Sequence, residues 1–168
     1  MSTARRATEA DLPAITEIYN YFVSNTVITF DTVPFRASDR QGWFRQFGAS
    51  GPHQIFVAAG PANVIMGYAY SSGFRDKPAY DQTVEVAIYL APHADEQGIG
   101  STLYSALFGA LERESAVHRA VAMIAQPNPG SVALHGKFGF RPVGELSEAG
   151  FKFGRYVDIL MMERAFGG

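Results

Sequence analysis

The sequence contains no cysteine. That excludes disulfides, thiolate metal ligands and a cysteine nucleophile or acyl carrier, and it suits a reducing compartment. Charge of one sign is also lacking. The formal net charge is −2, so no global field draws the chain to nucleic acid or to an anionic membrane. No apolar run approaches the ~20 residues that span a bilayer. The opening residues, Met1 to Glu9, carry charges with no apolar stretch behind them, unlike a secretory signal. The expected location is the cytoplasm. There is no internal repeat and no low-complexity stretch. What is present is 168 residues, 47% of them hydrophobic, enough for one domain, residues 1–168, with a substantial core.

Hydrophobic periodicity organises the chain around Val84 to Ser101. Val84, Val86, Ile88 and Leu90 alternate with Glu85, Ala87 and Tyr89, which predicts a strand ended by Pro92. Gly98 and Gly100 follow, and Leu103, Leu107 and Leu111 then recur at helical spacing. A glycine-bearing loop that feeds a helix N-terminus gathers backbone N–H groups at one point and attracts phosphate. It is not a Walker loop, because no Lys-Ser/Thr follows Gly100, and the third glycine of a dinucleotide fingerprint is missing. In isolation the two glycines favour an ordinary strand-to-helix turn over a phosphate loop.

Before this stretch, Ala4–Ala7 reads as a short strand. Thr8 to Asp11 is a capping-box-like entry to a helix carrying Leu12, Ile15, Ile18, Tyr19 and Phe22. Val27 to Phe30 is either loop or small strand. Ser38 with Gln41 predicts a second capping box, on a helix bearing Trp43, Phe44 and Phe47. Gln54–Ala59 and Val64–Ser71 predict a hairpin, and Gly73–Asp81 an exposed loop. After the central helix come a strand over Arg119–Ile124, a helix over Ser131–Phe138, and closing strands over Phe140–Val143 and Tyr156–Glu163. Pro127 to Gly130 is expected to stay outside the helix, and Gly150–Gly154 to be a loop. The order of elements implies an α+β, or mixed α/β, fold.

Several residues are candidates for chemistry. Glu85 lies in an apolar strand on the face of Ala87 and Tyr89, either solvated or a general base with a pKa raised by partial burial. His135 shares a helix side with Ser131 and Phe138. Asn128 stands where an N-cap is expected. Arg75 and Lys77 flank Asp76 before the strand, where a cation can hold a substrate carboxylate or stay solvated. Lys152 is a similar case. Phe30 and Tyr80 suit a pocket wall or the core.

Taken together, these features resemble the GCN5-related N-acetyltransferase (GNAT) superfamily, in particular its phosphinothricin and methionine sulfoximine acetyltransferase branch. The residues that carry the resemblance are Arg6 to Pro13, Ala79-Tyr80-Asp81, Val84-Glu85 and Gly98-Ile99-Gly100-Ser101-Thr102-Leu103-Tyr104. Further on are Pro127-Asn128, Ser131, Leu134-His135, Phe138-Gly139-Phe140 and Gly150-Phe151-Lys152-Phe153-Gly154-Arg155. The resemblance implies a mostly antiparallel twisted sheet, flanked by helices, whose central strands splay apart. The pantetheine arm of acetyl-CoA would lie in the gap against Ile88, Tyr89 and Leu90. Its pyrophosphate would sit on N–H groups from Glu96, Gln97, Gly98, Ile99, Gly100 and Ser101; Asn128 would reach the pantetheine or the thioester region, and Ser131 would also contact the cofactor. The substrate-binding candidates are Phe30, Arg75, Tyr80, Glu85, Val86 and Lys152. No metal is expected.

The implied reaction is direct N-acetyl transfer to the α-amine of a small L-amino acid or analogue of the phosphinothricin, methionine sulfoximine or sulfone type. Glu85 would be the base, backbone N–H groups near Ile88 would hold the oxyanion, and Arg75 would pair with the substrate carboxylate. His135, where many relatives have Tyr, would protonate or orient the leaving thiolate. The sequence departs from the superfamily at Asp95-Glu96-Gln97, where Gln or Arg and a basic residue are usual. Each acidic charge beside a pyrophosphate costs on the order of 1 kcal/mol, so weak or salt-dependent CoA affinity is expected. A degenerate CoA-binding or sensing module, and the same chemistry on a polyamine or protein N-terminus, are the alternatives. The resemblance also implies a homodimer, in keeping with 13 Phe and 8 Tyr in so short a chain.

Overall fold

The computed structural model describes residues 2–94 and 98–167. Its strands are Thr3–Arg6 (β1), Ile55–Ala59 (β2), Ile65–Gly73 (β3), Thr83–Leu90 (β4), Arg119–Ala125 (β5), Arg141–Lys152 (β6) and Arg155–Ala165 (β7). They make a seven-stranded sheet in the order β1-β2-β3-β4-β5-β7-β6. Leu12–Asn25 (α1), Gln41–Phe44 (α2), Ile99–Leu111 (α3) and Pro129–Lys137 (α4) are the α-helices. Neighbouring strands are antiparallel except β4 and β5, which are parallel. The mixed α/β expectation is met.

The parallel pair is also the weak seam. β4 and β5 are in register only at Thr83↔Arg119, Val84↔Ala120 and Glu85↔Val121. Beyond Glu85, β4 continues beside β3 as far as Leu90, and β5 continues beside β7 as far as Ala125. The sheet therefore splits, as the resemblance implied. Ala91 N–H bonds to Met66 O on the β3 side. Strand alternation then turns the backbone groups of Val86, Ile88 and Leu90 toward the gap. On the other edge Gln126 N–H bonds to Asp158 O of β7, which turns Met123 and Ala125 toward the same gap.

Each face of the sheet carries its own layer. Val84 and Val86 are buried with Leu103, Leu107 and Leu111 of α3. On the opposite face Tyr68, Tyr70 and Tyr89 form an aromatic layer under Tyr19 of α1, with ring centroids 5.2–6.1 Å apart. Arg40 lies over Trp43 at 3.9 Å and over Tyr19 at 4.6 Å. A smaller cluster of Ala125, Val157 and Ile159 carries Val27 from the segment after α1. That segment thus passes from the β4 side of the split to the β5–β7 side.

Several boundaries differ from those expected. The second helix is one turn, Gln41–Phe44, behind a 3-10 turn at Ala37–Arg40. The cap there is Asp39 accepting from Arg36 N–H at 3.0 Å, not Ser38 with Gln41. Pro129 and Gly130 lie inside α4, because proline is tolerated in a first turn whose N–H has no partner. The largest difference is β6, which runs for 12 residues. Gly150–Lys152 is strand, and only Phe153-Gly154 turns, both at positive φ (53° and 74°), as a two-residue hairpin requires. Register shifts at Pro142/Gly144 and Leu146/Gly150 break the alternation that would have revealed this strand. Val27 to Phe30 is loop.

Leu107 is fully buried at the centre of α3. Leu107→Ala is expected to lower unfolding free energy by about 3 kcal/mol, read from the midpoint of urea denaturation at unchanged slope.

Candidate active site

A cavity of about 750 Å³ occupies the split. From β4 it is lined by Glu85, Val86, Ile88, Tyr89 and Leu90, and from β5 by Met123 and Ala125. Gly98, Ile99, Gly100 and Ser101 close one end, where α3 begins. Asn128, Ser131 and His135 of α4 close the side. Residues of these types, scattered over 50 positions of sequence, meet because β4, the loop into α3, and β5 running into α4 all end at the split.

The α3 end is suited to an anion. Gly98, in the left-handed region at φ 69°, supplies no side-chain cap. The first N–H groups of the helix thus point outward without intrahelical acceptors, at the positive end of its dipole. Lys137 of α4 reaches across and donates from Nζ to Ser101 Oγ at 2.8 Å. Glu96 and Gln97, expected in this cradle, and the neighbouring Asp95 lie outside the described residues.

On α4, Asn128 is the N-cap, its Oδ1 accepting from Ser131 N–H at 3.2 Å. His135 is buried, with Nδ1 2.7 Å from the Ser131 carbonyl oxygen and Nε2 2.7 Å from Tyr104 Oη. The short approach to a carbonyl places the proton on Nδ1, so Nε2 accepts from the Tyr104 hydroxyl. Burial lowers the pKa of the ring, against a smaller opposing effect of the Ser131 carbonyl. A neutral imidazole with both nitrogens engaged has no N–H free for a leaving thiolate. Its two nitrogens tie α4 to Tyr104 of α3 and to the Ser131 carbonyl.

Glu85 sits at the other end, at the last paired position before the split, on the face of Tyr89 and α1. It is half-buried, and burial raises its pKa above the ordinary carboxylate value, with the charge of Arg75 pulling the other way as the smaller effect. Tyr70, Tyr21, Phe22, Thr26 and Ile28 complete this end of the cavity. The sequence reading missed them: Phe22 follows the apolar pattern of α1, Tyr21 is its neighbour on that helix, Thr26 and Ile28 lie in the irregular segment after it, and Tyr70 sits in an unremarkable strand.

Four expected substrate residues do not line the cavity. Arg75 is exposed, lying over Phe74 at 5.0 Å, and Tyr80 packs edge-on against Phe74. They form a rim whose charge Glu85 still feels. Phe30 packs against Gly150. Lys152 is buried and turned inward, its Nζ 2.8 Å from the Thr29 carbonyl oxygen.

The family profile described as acetyltransferase (GNAT) domain matches residues 4–161. The chain belongs to the GNAT acetyltransferases. A phosphinothricin N-acetyltransferase of Streptomyces coelicolor is 48% identical over 161 residues, covering 95% of this chain and 94% of that one. An L-methionine sulfoximine/L-methionine sulfone acetyltransferase of Pseudomonas paraeruginosa is 35% identical, covering 96% and 93%. A GNAT phosphinothricin acetyltransferase of Sinorhizobium meliloti, solved in complex with acetyl-CoA, superposes with a TM-score of 0.93 at 37% identity, over 99% of this chain and 89% of that one. The GNAT chain is thus an acyltransferase, and a purely non-catalytic reading is set aside. No helix among its described residues is long and apolar enough to cross a membrane.

The Tyr104–His135 pair makes a pH prediction. His135 has a folded pKa below its ordinary 6.5. Its contribution to stability is therefore full above 6.5 and is lost as pH falls through the folded value, because the unfolded chain binds the proton first. Urea denaturation between pH 7.5 and 5 should show that loss, and His135→Gln should flatten it. Tyr104→Phe should lower stability by about 1–2 kcal/mol at neutral pH by leaving Nε2 without a donor.

Proposed function

We propose that this acyltransferase moves an acetyl group from acetyl-CoA to the α-amine of a small L-amino acid or analogue of the phosphinothricin or methionine sulfoximine/sulfone type. The observation that carries the reading is the split itself. Val86, Ile88 and Leu90 on one edge, and Met123 and Ala125 on the other, turn backbone N–H and C=O groups into a walled gap. A buried backbone group left without a partner costs about 1–3 kcal/mol. An extended arm rich in amides, such as pantetheine, satisfies such an edge as an added strand would. The uncapped start of α3 and the Lys137 ammonium suit its pyrophosphate. Lys137 supplies locally the positive charge that Asp95 and Glu96 do not, and CoA affinity should remain salt-dependent.

Acetyl-CoA supplies the activated acyl group. Glu85, opposite the cradle and with a raised pKa, takes the proton from the acceptor ammonium, directly or through one water. The Ile88 N–H faces the gap and is placed to hold a carbonyl oxygen as charge develops on it. Val86, beside Glu85, helps shape this end, and Arg75 on the rim draws in the acceptor carboxylate, with Tyr80 beside it. His135 holds α4 so that Asn128 and Ser131 face the cofactor side. With no cysteine to serve as acyl carrier, the reading is direct transfer from thioester to amine, and the lack of cysteine suits the cytoplasm as location.

We also infer a homodimer with the β6–β7 hairpin at its interface. Phe151, Phe153 and Tyr156 are 62%, 61% and 65% exposed there. Phe151 and Tyr156 face each other across the strands with ring centroids 5.0 Å apart. Such a patch is commonly covered by a partner surface.

Glu85→Gln should lower turnover by about 10²–10⁴-fold while acetyl-CoA binding by calorimetry stays within about twofold of the parent, and near-normal turnover would refute the base assignment. In the parent, the acid limb of kcat/KM should lie above the ordinary carboxylate value of 4.5. Sedimentation should show a dimer, and Phe151→Ser with Tyr156→Ser should shift it to monomer.

A further inference from the structure

One buried charge has no place in the transfer chemistry. Lys152 is 3% exposed, and its Nζ donates to the Thr29 carbonyl at 2.8 Å and approaches the Phe22 carbonyl at 3.5 Å. Among the described residues it forms no ion pair. The Phe22 carbonyl belongs to the last turn of α1, where the helix dipole favours a cation. Gly150, two residues earlier in β6, faces the same side. A Cβ there would lie 2.2 Å from Cζ of Phe30, so only glycine lets that ring rest against the strand. Alternate residues of β6 thus grip two consecutive residues, Thr29 and Phe30. Tyr19 Oη lies 2.7 Å from Thr29 Oγ1 and fixes the same point from α1.

The gripped segment runs along the acceptor end of the cavity. Thr26 and Ile28 line it, on the face of Glu85. Val27 packs with Ala125, Val157 and Ile159, on the far side of the split from Tyr89. We propose that Gly150 and Lys152 form a lock that sets the position of residues 26–31, and with it the acceptor wall of the site. Lys152 is a positioning residue that acts through Thr29 and does not touch the acceptor. The inference rests on the acetyl-transfer reading for its kinetic consequence, but not for its structural one.

Two variants test it from separate contacts. Lys152→Met keeps the length and removes the donors, whereas Gly150→Ala displaces Phe30 and leaves the ammonium in place. The acceptors are L-phosphinothricin and L-methionine sulfone, at saturating acetyl-CoA. Both variants should raise the acceptor KM by about tenfold, with kcat and the calorimetric acetyl-CoA Kd within about twofold, the pattern of weakened acceptor binding alone. Amide hydrogen exchange across residues 26–31 should quicken by at least about tenfold in both, because a local tether has been lost. Lys152→Arg, which can still donate to both carbonyls, should restore much of the KM. A fall in kcat at constant KM would mean loss of folded enzyme only, and would overturn the lock. A KM effect in Lys152→Met without one in Gly150→Ala would assign the lysine to the acceptor itself, and would also overturn it. If the parent acetylates neither acceptor, the acceptor assignment fails while the exchange measurement still decides the lock. If Lys152→Met does not fold, Gly150→Ala decides it alone.

Discussion

The parallel pairing of β4 with β5 ends at Glu85 and Val121, and most of what the molecule can do follows from that termination. Had the ladder continued, Val86, Ile88 and Leu90 would spend their backbone groups on Met123 and Ala125, and there would be no gap. Each strand is held by its outer neighbour instead, β4 by β3 and β5 by β7, so the two halves diverge without either losing its pairing. The open edges hold a row of polar groups inside an otherwise apolar layer. Such a row is costly unless water or an amide-bearing ligand meets it.

The split also separates two chemistries. Side chains at even positions of β4 pack toward α3, and those at odd positions lie under α1. The anion-friendly start of α3, with Lys137 at Ser101, belongs to the first face. Glu85 belongs to the second, with Tyr70 and the segment after α1 around it. A carboxylate on the cradle side would oppose a bound phosphate. On the opposite face it stays clear of that anion, and its pKa is governed by burial, with Arg75 as a weaker counterweight. On the proposed function, donor and acceptor would approach from different sides and meet at the last paired residue.

Much of this was legible in the residues. Strict alternation over Val84–Leu90 and leucines at helical spacing after Gly100 located β4 and α3, and Asn128 was recognisable as an N-cap. The splitting of the sheet came only from resemblance, because no periodicity records where two parallel strands stop pairing. β6 was lost for a local reason: its bulges shift the inward face, and Gly150 and Lys152 point inward where neither residue type advertises a core position. Side-chain type alone makes His135 a candidate for catalysis and Lys152 a candidate for holding a substrate carboxylate. The tertiary neighbours that engage them are not recorded in residue type: Tyr104 and the Ser131 carbonyl take both imidazole nitrogens, and the Thr29 carbonyl takes the ammonium.

The two sides of the cavity also tolerate change differently. The cofactor side is built largely from backbone: strand edges and a helix N-terminus survive replacement of many side chains provided the strands and the turn persist. The proposed acceptor side is built from side chains: Glu85 and Tyr70 on strands, Tyr21 and Phe22 on α1, and Thr26 and Ile28 on a loop that has no ladder of its own. That loop owes its position to contacts from α1 and from the far end of β6. One methylene or one hydroxyl in such a wall shifts discrimination by about 1–3 kcal/mol without disturbing the fold. Relatives 48% and 35% identical to this chain carry the names of different acceptors. The proposed construction would permit such divergence: a cofactor groove formed by the sheet, and an acceptor wall that few substitutions, even distant ones in β6, would suffice to move.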